Sequence, residues 1–141
     1  MKATQVVAKN PYINFFNEKE MPLILIDIAE SFSPNLLDGP PITWELRDMP
    51  EAQCFYWCPK PDGTMRKVYN RGTGRTVEVS CDAFGIITTL YLLSHGSFQM
   101  AERGQRDRAR KLSEQYHRLR NEVFSDDGAH PEHTAIWEAI D

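Results

Sequence analysis

The sequence predicts an α+β fold: an antiparallel sheet of about four strands in a meander, packed with an N-terminal helix and three C-terminal helices. Three observations carry this. Apolar residues recur with a period of two between Pro40 and Ser80, they recur at helical spacing on either side, and the links between successive strands are short turns. Parallel strands need a crossover of a dozen residues or more, so short links imply antiparallel neighbours. A length of 141 residues suits one domain. It is placed at 11–141, with 1–10 as a flexible N-terminal arm, since that segment is polar apart from Val6 and Val7.

Pro22 suits the first turn of a helix through Leu23, Ile24, Ile26, Ile28 and Phe32, stopped by Ser33-Pro34, with a buried strand over Leu23 to Ile28 as the competing assignment. Ile42, Trp44 and Leu46 alternate with Thr43, Glu45 and Arg47 in the first strand, and Cys54 to Cys58 form the second. Pro59 to Gly63 reads as a turn, Met65 to Tyr69 as a strand, Asn70 to Gly74 as a turn and Thr76 to Val79 as the fourth strand. Ser80 stands at an N-cap, with Asp82 near the positive end of the helix dipole. The helix it opens has almost no polar face, which marks it as buried, and it is expected to stop at Ser94-His95, with Gly96 and later Gly104 marking its end and the loop after it. Ala109, Leu112, Tyr116, Leu119 and Val123 form one stripe of a surface helix near Gln105 to Phe124. Pro131 then opens a last helix carrying Ala135, Ile136, Ala139 and Ile140.

Composition narrows the function. The hydrophobic fraction of 41% and charged fraction of 26% are those of a globular chain. No apolar run is long enough to span a bilayer, and the first residues lack the apolar core of a secretory signal, so a cytoplasmic location is expected. Three cysteines cannot all pair within one chain, and reduced thiols are expected. A net charge of −4 favours neither tight polyanion binding nor the crowded acids of a DNA mimic. The charge is uneven: 101–125 is rich in arginine, whereas 126–141 holds Asp126, Asp127, Glu132, Glu138 and Asp141 and no Lys or Arg.

Residue types that carry chemistry do not converge in the sequence. Cys54 and Cys58 with His95 lack both the tight knuckle of a structural zinc site and a fourth ligand. Cys81 and His95 lie roughly 21 Å apart on an unbroken helix, too far for a dyad. Gly72 and Gly74 lie in a hairpin turn, where no helix N-terminus faces a phosphate. Arg103, Arg106, Arg108, Arg110, Lys111, Arg118 and Arg120 alternate with acids, as on a solvated helix face. They remain the basis of an alternative reading, a small nucleic-acid-binding or regulatory module using the Arg-rich helix 105–124, with Tyr56 or Trp57 as stacking aromatics. No catalytic residue, metal ligand or cofactor site is assigned.

One resemblance goes further. I-T-W-E-L (42–46), C-F-Y-W-C-P (54–59), D-G (62–63), V-Y-N (68–70), V-S-C-D-A-F-G (79–85), L-L-S-H (92–95), Q-Y-H-R-L-R (115–120), H-P-E-H-T-A-I (130–136) and the closing A-I-D follow in the order and spacing of the ArdB/KlcA antirestriction family. The chain resembles that family over roughly 12–141, and departs from it in a longer Arg47 to Gln53 connection and an extended Ala101 to Arg110 segment. The resemblance implies a protein of mobile elements such as plasmids that relieves type I restriction of incoming DNA. It implies no enzymatic activity and no cofactor, an interaction-based or indirect mechanism other than DNA mimicry, and type I restriction-modification machinery or a host factor acting on it as partner. The acidic end, Asp127, Glu132, Glu138 and Asp141, is the expected contact surface, together with exposed aromatics beside the altered loop; the helix dipole by itself accounts for Glu132 near a helix N-terminus, and a solvated chain end for Asp141.

Overall fold

The computed structural model describes residues 4–5, 21–33, 36, 42–125 and 129–141. Its elements are β1 (Thr4–Gln5), α1 (Met21–Glu30), β2 (Trp44–Met49), β3 (Cys54–Pro59), β4 (Arg66–Asn70), β5 (Arg75–Val79), α2 (Cys81–Glu102), α3 (Arg106–Phe124) and α4 (His133–Ile140). The α+β class, the N-terminal helix, the three C-terminal helices and the four antiparallel strands match the sequence reading. Apart from Thr4 and Gln5, which pair with Asp48 and Arg47 of β2, the predicted arm over 1–10 lies outside the described residues.

The single meander is corrected to two sheets, ordered β1-β2-β3 and β4-β5. Each of the edges that would have joined them has another partner. On β3, the Trp57 amide donates to Thr89 Oγ1 of α2 at 2.8 Å, and that hydroxyl donates to the Trp57 carbonyl at 3.3 Å. On β4, the Tyr69 amide donates to the Phe32 carbonyl at 2.7 Å, and Ser33 Oγ donates to the Lys67 carbonyl at 2.8 Å. The chain leaving α1 and the side of α2 thus satisfy backbone groups that a continuous sheet would have paired.

The connection after Leu46 is also shorter than its sequence suggests. Arg47 to Met49 continue β2, Met49 lies opposite Cys54, and only residues 50–53 turn. Gln53 takes a left-handed φ of 55°, and its carbonyl accepts from Gln115 Nε2 at 3.1 Å and Arg118 Nη1 at 3.3 Å, so α3 holds the turn.

The core is built on α2. Phe84, Ile86, Ile87, Leu90 and Leu93 are buried against both sheets and the other helices, as its missing polar face predicted. Ser80 caps it by accepting from the Ala83 amide at 3.2 Å. Gly85 sets its height above β3: a Cβ there would lie 2.4 Å from the Trp57 carbonyl oxygen and 2.6 Å from Cys58 Cα. The predicted stop at Ser94-His95 is corrected, since α2 runs through Gly96 to Glu102. Gly96 faces α3, 3.4 Å from Leu112 Cδ1 at the position of an added Cβ, so it serves packing rather than termination. Gly104 ends the helix, with φ 76° and its amide bonded to the Ala101 carbonyl, while the Gln105 amide reaches the Met100 carbonyl. That pair of bonds satisfies the last carbonyls as a Schellman motif.

α3 lies along α2 with Leu112, Gln115, Leu119 and Val123 buried. α1 adds Leu25 against Leu92, and Phe32 stacks on Tyr91 at 5.0 Å between ring centres. Among the described residues no helix is long and apolar enough to cross a membrane.

Candidate functional site

The most concentrated group of polar side chains gathers at the N-terminus of α2, around Asp82. Arg47 Nη1 from β2 lies 2.5 Å from Asp82 Oδ1, and the Tyr56 hydroxyl from β3 donates to the same oxygen at 2.7 Å. His130 Nε2, from the turn before α4, meets Oδ2 at 2.7 Å. The other ring nitrogen of His130 accepts from the Glu132 amide at 3.0 Å, which places the ring proton on Nε2, donated to Asp82.

One turn away, the Glu132 carboxylate accepts from the Ser80 amide at 2.9 Å and from the Ser80 hydroxyl. The two contacts interlock: Ser80 and Asp82 on α2 meet Glu132 and His130, in opposite order and with the same spacing. Three further bonds anchor this arm. The His130 amide donates to the Val123 carbonyl at 3.0 Å, and the His130 carbonyl accepts from the His133 amide at 3.0 Å and from His133 Nδ1 at 2.9 Å.

The electrostatics suit a fixed ionic lock. Burial raises the Asp82 carboxyl, but hydrogen bonds from His130 and Tyr56 and the Arg47 charge outweigh it and hold the group below the usual aspartate value. Burial also works against the Arg47 cation, yet the contacts with Tyr56 and the neighbouring Asp82 keep its pKa raised. Tyr56 is held neutral, first by burial and then by its bond to Asp82. The Cys54 and Cys58 thiols are each pushed up to about 12, mainly by burial. Thiols so protonated are poor nucleophiles near neutral pH. Cys58 Sγ donates to the Pro59 carbonyl at 3.1 Å and to the Cys81 carbonyl at 3.4 Å.

The predicted acidic contact surface divides. Asp127 lies outside the described residues. Glu132 is spent on Ser80, which corrects the expectation that its place near a helix N-terminus sufficed to explain it. Glu138 and Asp141 do come together: Asn70 Nδ2 donates to the Glu138 carbonyl at 3.0 Å and to the Asp141 backbone oxygen at 3.2 Å, while Asn70 Oδ1 accepts from the Gly72 amide at 2.9 Å. The Glu138 side chain lies 3.7 Å from Arg75, and Asp141 is exposed beside half-exposed Trp137.

The basic helix is engaged along much of its length. Arg110 sits between Asp107 at 3.8 Å and Glu114 at 4.0 Å, Arg118 holds Gln53, and Arg120 lies 5.3 Å over the Trp137 ring. Tyr56 is buried and Trp57 mostly so, which removes them as stacking platforms for bases. His95 is exposed on the unbroken α2, and among the described residues no three His, Cys, Asp or Glu side chains converge as a metal site. Sequence reasoning singled out Asp82 only for the helix dipole. Its partners lie 26 to 48 residues away, and no local pattern announces them.

The fold has known counterparts. A family model described as antirestriction protein matches residues 42–141. The antirestriction protein KlcA of Escherichia coli is 36% identical over 87 residues, 62% of this chain and 54% of that protein, so the match spans about half of the relative. A solved structure from work on the KlcA and ArdB proteins aligns with a TM-score of 0.67 and 27% identity, covering 100% of this chain and 96% of the other. That work reports a novel fold and antirestriction activity against type I DNA restriction systems in vivo but not in vitro. With matching motifs, matching fold and a family match from the first long strand to Asp141, the chain belongs to the antirestriction protein family.

Proposed function

We propose that this protein relieves type I restriction of incoming DNA by contact with the restriction machinery, or with a host factor acting on it, and performs no chemistry of its own. The observation that carries this reading is the full-length likeness to a fold whose solved member acts on type I systems in vivo but not in vitro. Activity that needs the cell favours an indirect route over direct inhibition of the enzyme. The side chains support a contact mechanism. Both ring nitrogens of His130 are occupied, Asp82 and Glu132 are locked, and two thiols are held protonated by burial. With 16 basic against 20 acidic residues, the chain also lacks the dense negative charge of a DNA mimic. Glu138 and Asp141, gathered by Asn70 next to Trp137, form the contact surface assigned to this activity.

Expression in a host with a type I system should raise the plating of unmodified phage while leaving methylation of modified DNA intact. Unchanged plating at verified expression would overturn the proposal. Adding the pure protein to a pure type I enzyme separates the two routes, since inhibition there would point to the enzyme itself as partner.

A further inference from the structure

The last turn of α4 meets α2 and α3 at a small recess. Leu90, Tyr91 and Ser94 of α2, Tyr116 of α3 and Ile140 of α4 line it, around a volume of about 60 Å³. The Tyr91 hydroxyl ties two of these walls together by donating to the Ala139 carbonyl at 3.1 Å, and its ring is held by Phe32 at 5.0 Å and His95 at 6.0 Å. Ser94 and Tyr116 are bound differently. Both are half-buried, and among the described residues neither hydroxyl has a hydrogen-bond partner. Asp141 directly follows the lining residue Ile140, its Cα about 3.8 Å farther along the chain. Its amide closes α4 on the Trp137 carbonyl at 3.0 Å, and its exposed side chain forms no ion pair among the described residues. The negative end of the α4 dipole falls at the same place, with no basic residue in the last turn.

We propose that this recess receives the guanidinium of an arginine on a protein partner. Its volume selects the head of one side chain, since it equals the share of about two water molecules and is far below that of a pocket for a drug-sized ligand. Charge selects a cation, because Asp141 and the end of α4 both oppose an anion. An apolar head is disfavoured, for it would cover the Ser94 and Tyr116 hydroxyls without giving them a partner. A divalent cation is disfavoured too, since two neutral hydroxyls and one carboxylate are a sparse set of oxygens. A guanidinium suits both kinds of wall. Its flat faces are weakly hydrated and pack on Leu90 and Ile140, while its edge donates to the two hydroxyls and to Asp141. An ammonium is compact and strongly hydrated, and offers no such faces. The proposal deepens the proposed function, on which its cellular part rests, by naming the chemistry of the partner, and it adjoins the recess to Glu138 and Asp141 on the same last turn.

The test titrates the pure full chain with N-acetylarginine amide and, in parallel, with the neutral citrulline analogue, the lysine analogue and spermidine, following the methyl resonances of Leu90 and Ile140 by NMR. The expected result is a saturable shift of both methyls with the arginine compound, about tenfold or more tighter than with citrulline. Asp141→Asn should weaken it, as should Tyr116→Phe with Ser94→Ala, a pair that removes two oxygens and keeps the ring and the backbone. In a restricting host that double variant should lose relief of restriction at unchanged melting temperature. An equal response to citrulline, tighter binding of the lysine compound or of spermidine, no shift at either methyl, or shifts indifferent to the substitutions would each overturn the site. Full relief by a variant that no longer binds the arginine compound would overturn its part in docking. The two proposals fail separately: absence of relief by the unaltered chain sinks the antirestriction reading, whereas arginine binding is read on the pure protein alone.

Discussion

Replacing Asp82 with Ala removes the acceptor on which three donors converge. The cost follows from what each donor can do afterwards. The Tyr56 hydroxyl belongs to a residue 1% exposed, and His130 is 6% exposed, so neither regains a water-filled environment. A buried donor left without a partner costs about 1–3 kcal/mol. Arg47 has 20% of its side chain exposed and Glu45 at 3.9 Å as a second acid, so it adds little. The sum is about 2–6 kcal/mol, a substantial part of the stability of a domain this size. At roughly 3 °C per kcal/mol it lowers the melting temperature by about 6–18 °C. Asp82→Asn should not rescue the loss fully. Its amide nitrogen facing His130 would require an acceptor there, and moving the ring proton to Nδ1 sets that atom against the Glu132 amide. Urea unfolding of Asp82→Ala, His130→Ala and the double variant measures the coupling directly, expected at about 1–3 kcal/mol. A loss below about 0.5 kcal/mol for Asp82→Ala, or strict additivity, would refute a stabilising lock.

Gly85→Ala should destabilise by about 2–3 kcal/mol despite the better helix propensity of alanine, because the added methyl meets backbone atoms at 2.4 and 2.6 Å and α2 must lift off β3. Urea unfolding reads this, and equal or higher stability would show that α2 shifts freely. The pH dependence has two limbs. Asp82 has a folded pKa below its ordinary 3.8, so its stabilisation is present above that value and lost as pH falls through the lower, folded one. Cys54 and Cys58 are raised from 9.0 to about 12, so their contribution is present below pH 9 and lost as pH rises toward 12. Melting temperatures across pH should therefore drop at both ends, with a shallower acid limb in Asp82→Ala and a shallower alkaline limb in a Cys54→Ala, Cys58→Ala variant. Limbs of unchanged slope would rule these groups out.

Much of the fold was legible because its signals are local. The Ser80 cap, the period of two from Ile42, the unbroken apolar character of α2 and the α3 stripe each depend on residues within a few positions of one another. What failed depended on partners distant in sequence. Gly96 reads as a terminator until Leu112 of α3 is seen opposite it. The four strands read as one sheet until Thr89 and Phe32 are found on the two edges that would have joined. At the site, Glu132 read as a dipole-satisfying acid because its actual partner, Ser80, lies 52 residues earlier.

That last pairing changes what the family motifs mean. V-S-C-D-A-F-G contributes Ser80 and Asp82, and H-P-E contributes His130 and Glu132. The motifs are two halves of one lock, and Gly85 in the first lets α2 approach β3. Their spacing is set by hydrogen-bond geometry between α2 and the turn before α4, so together they specify how the C-terminal arm closes on the core. A lock whose polar atoms are consumed internally offers few groups to a partner. Variants that break it should lose antirestriction activity along with stability, whereas variants at Glu138 or Asp141 should lose activity at unchanged melting temperature. The motifs that carry the resemblance thus fix the scaffold of this chain, and Glu138 and Asp141, the side chains assigned to contact, stand outside the lock.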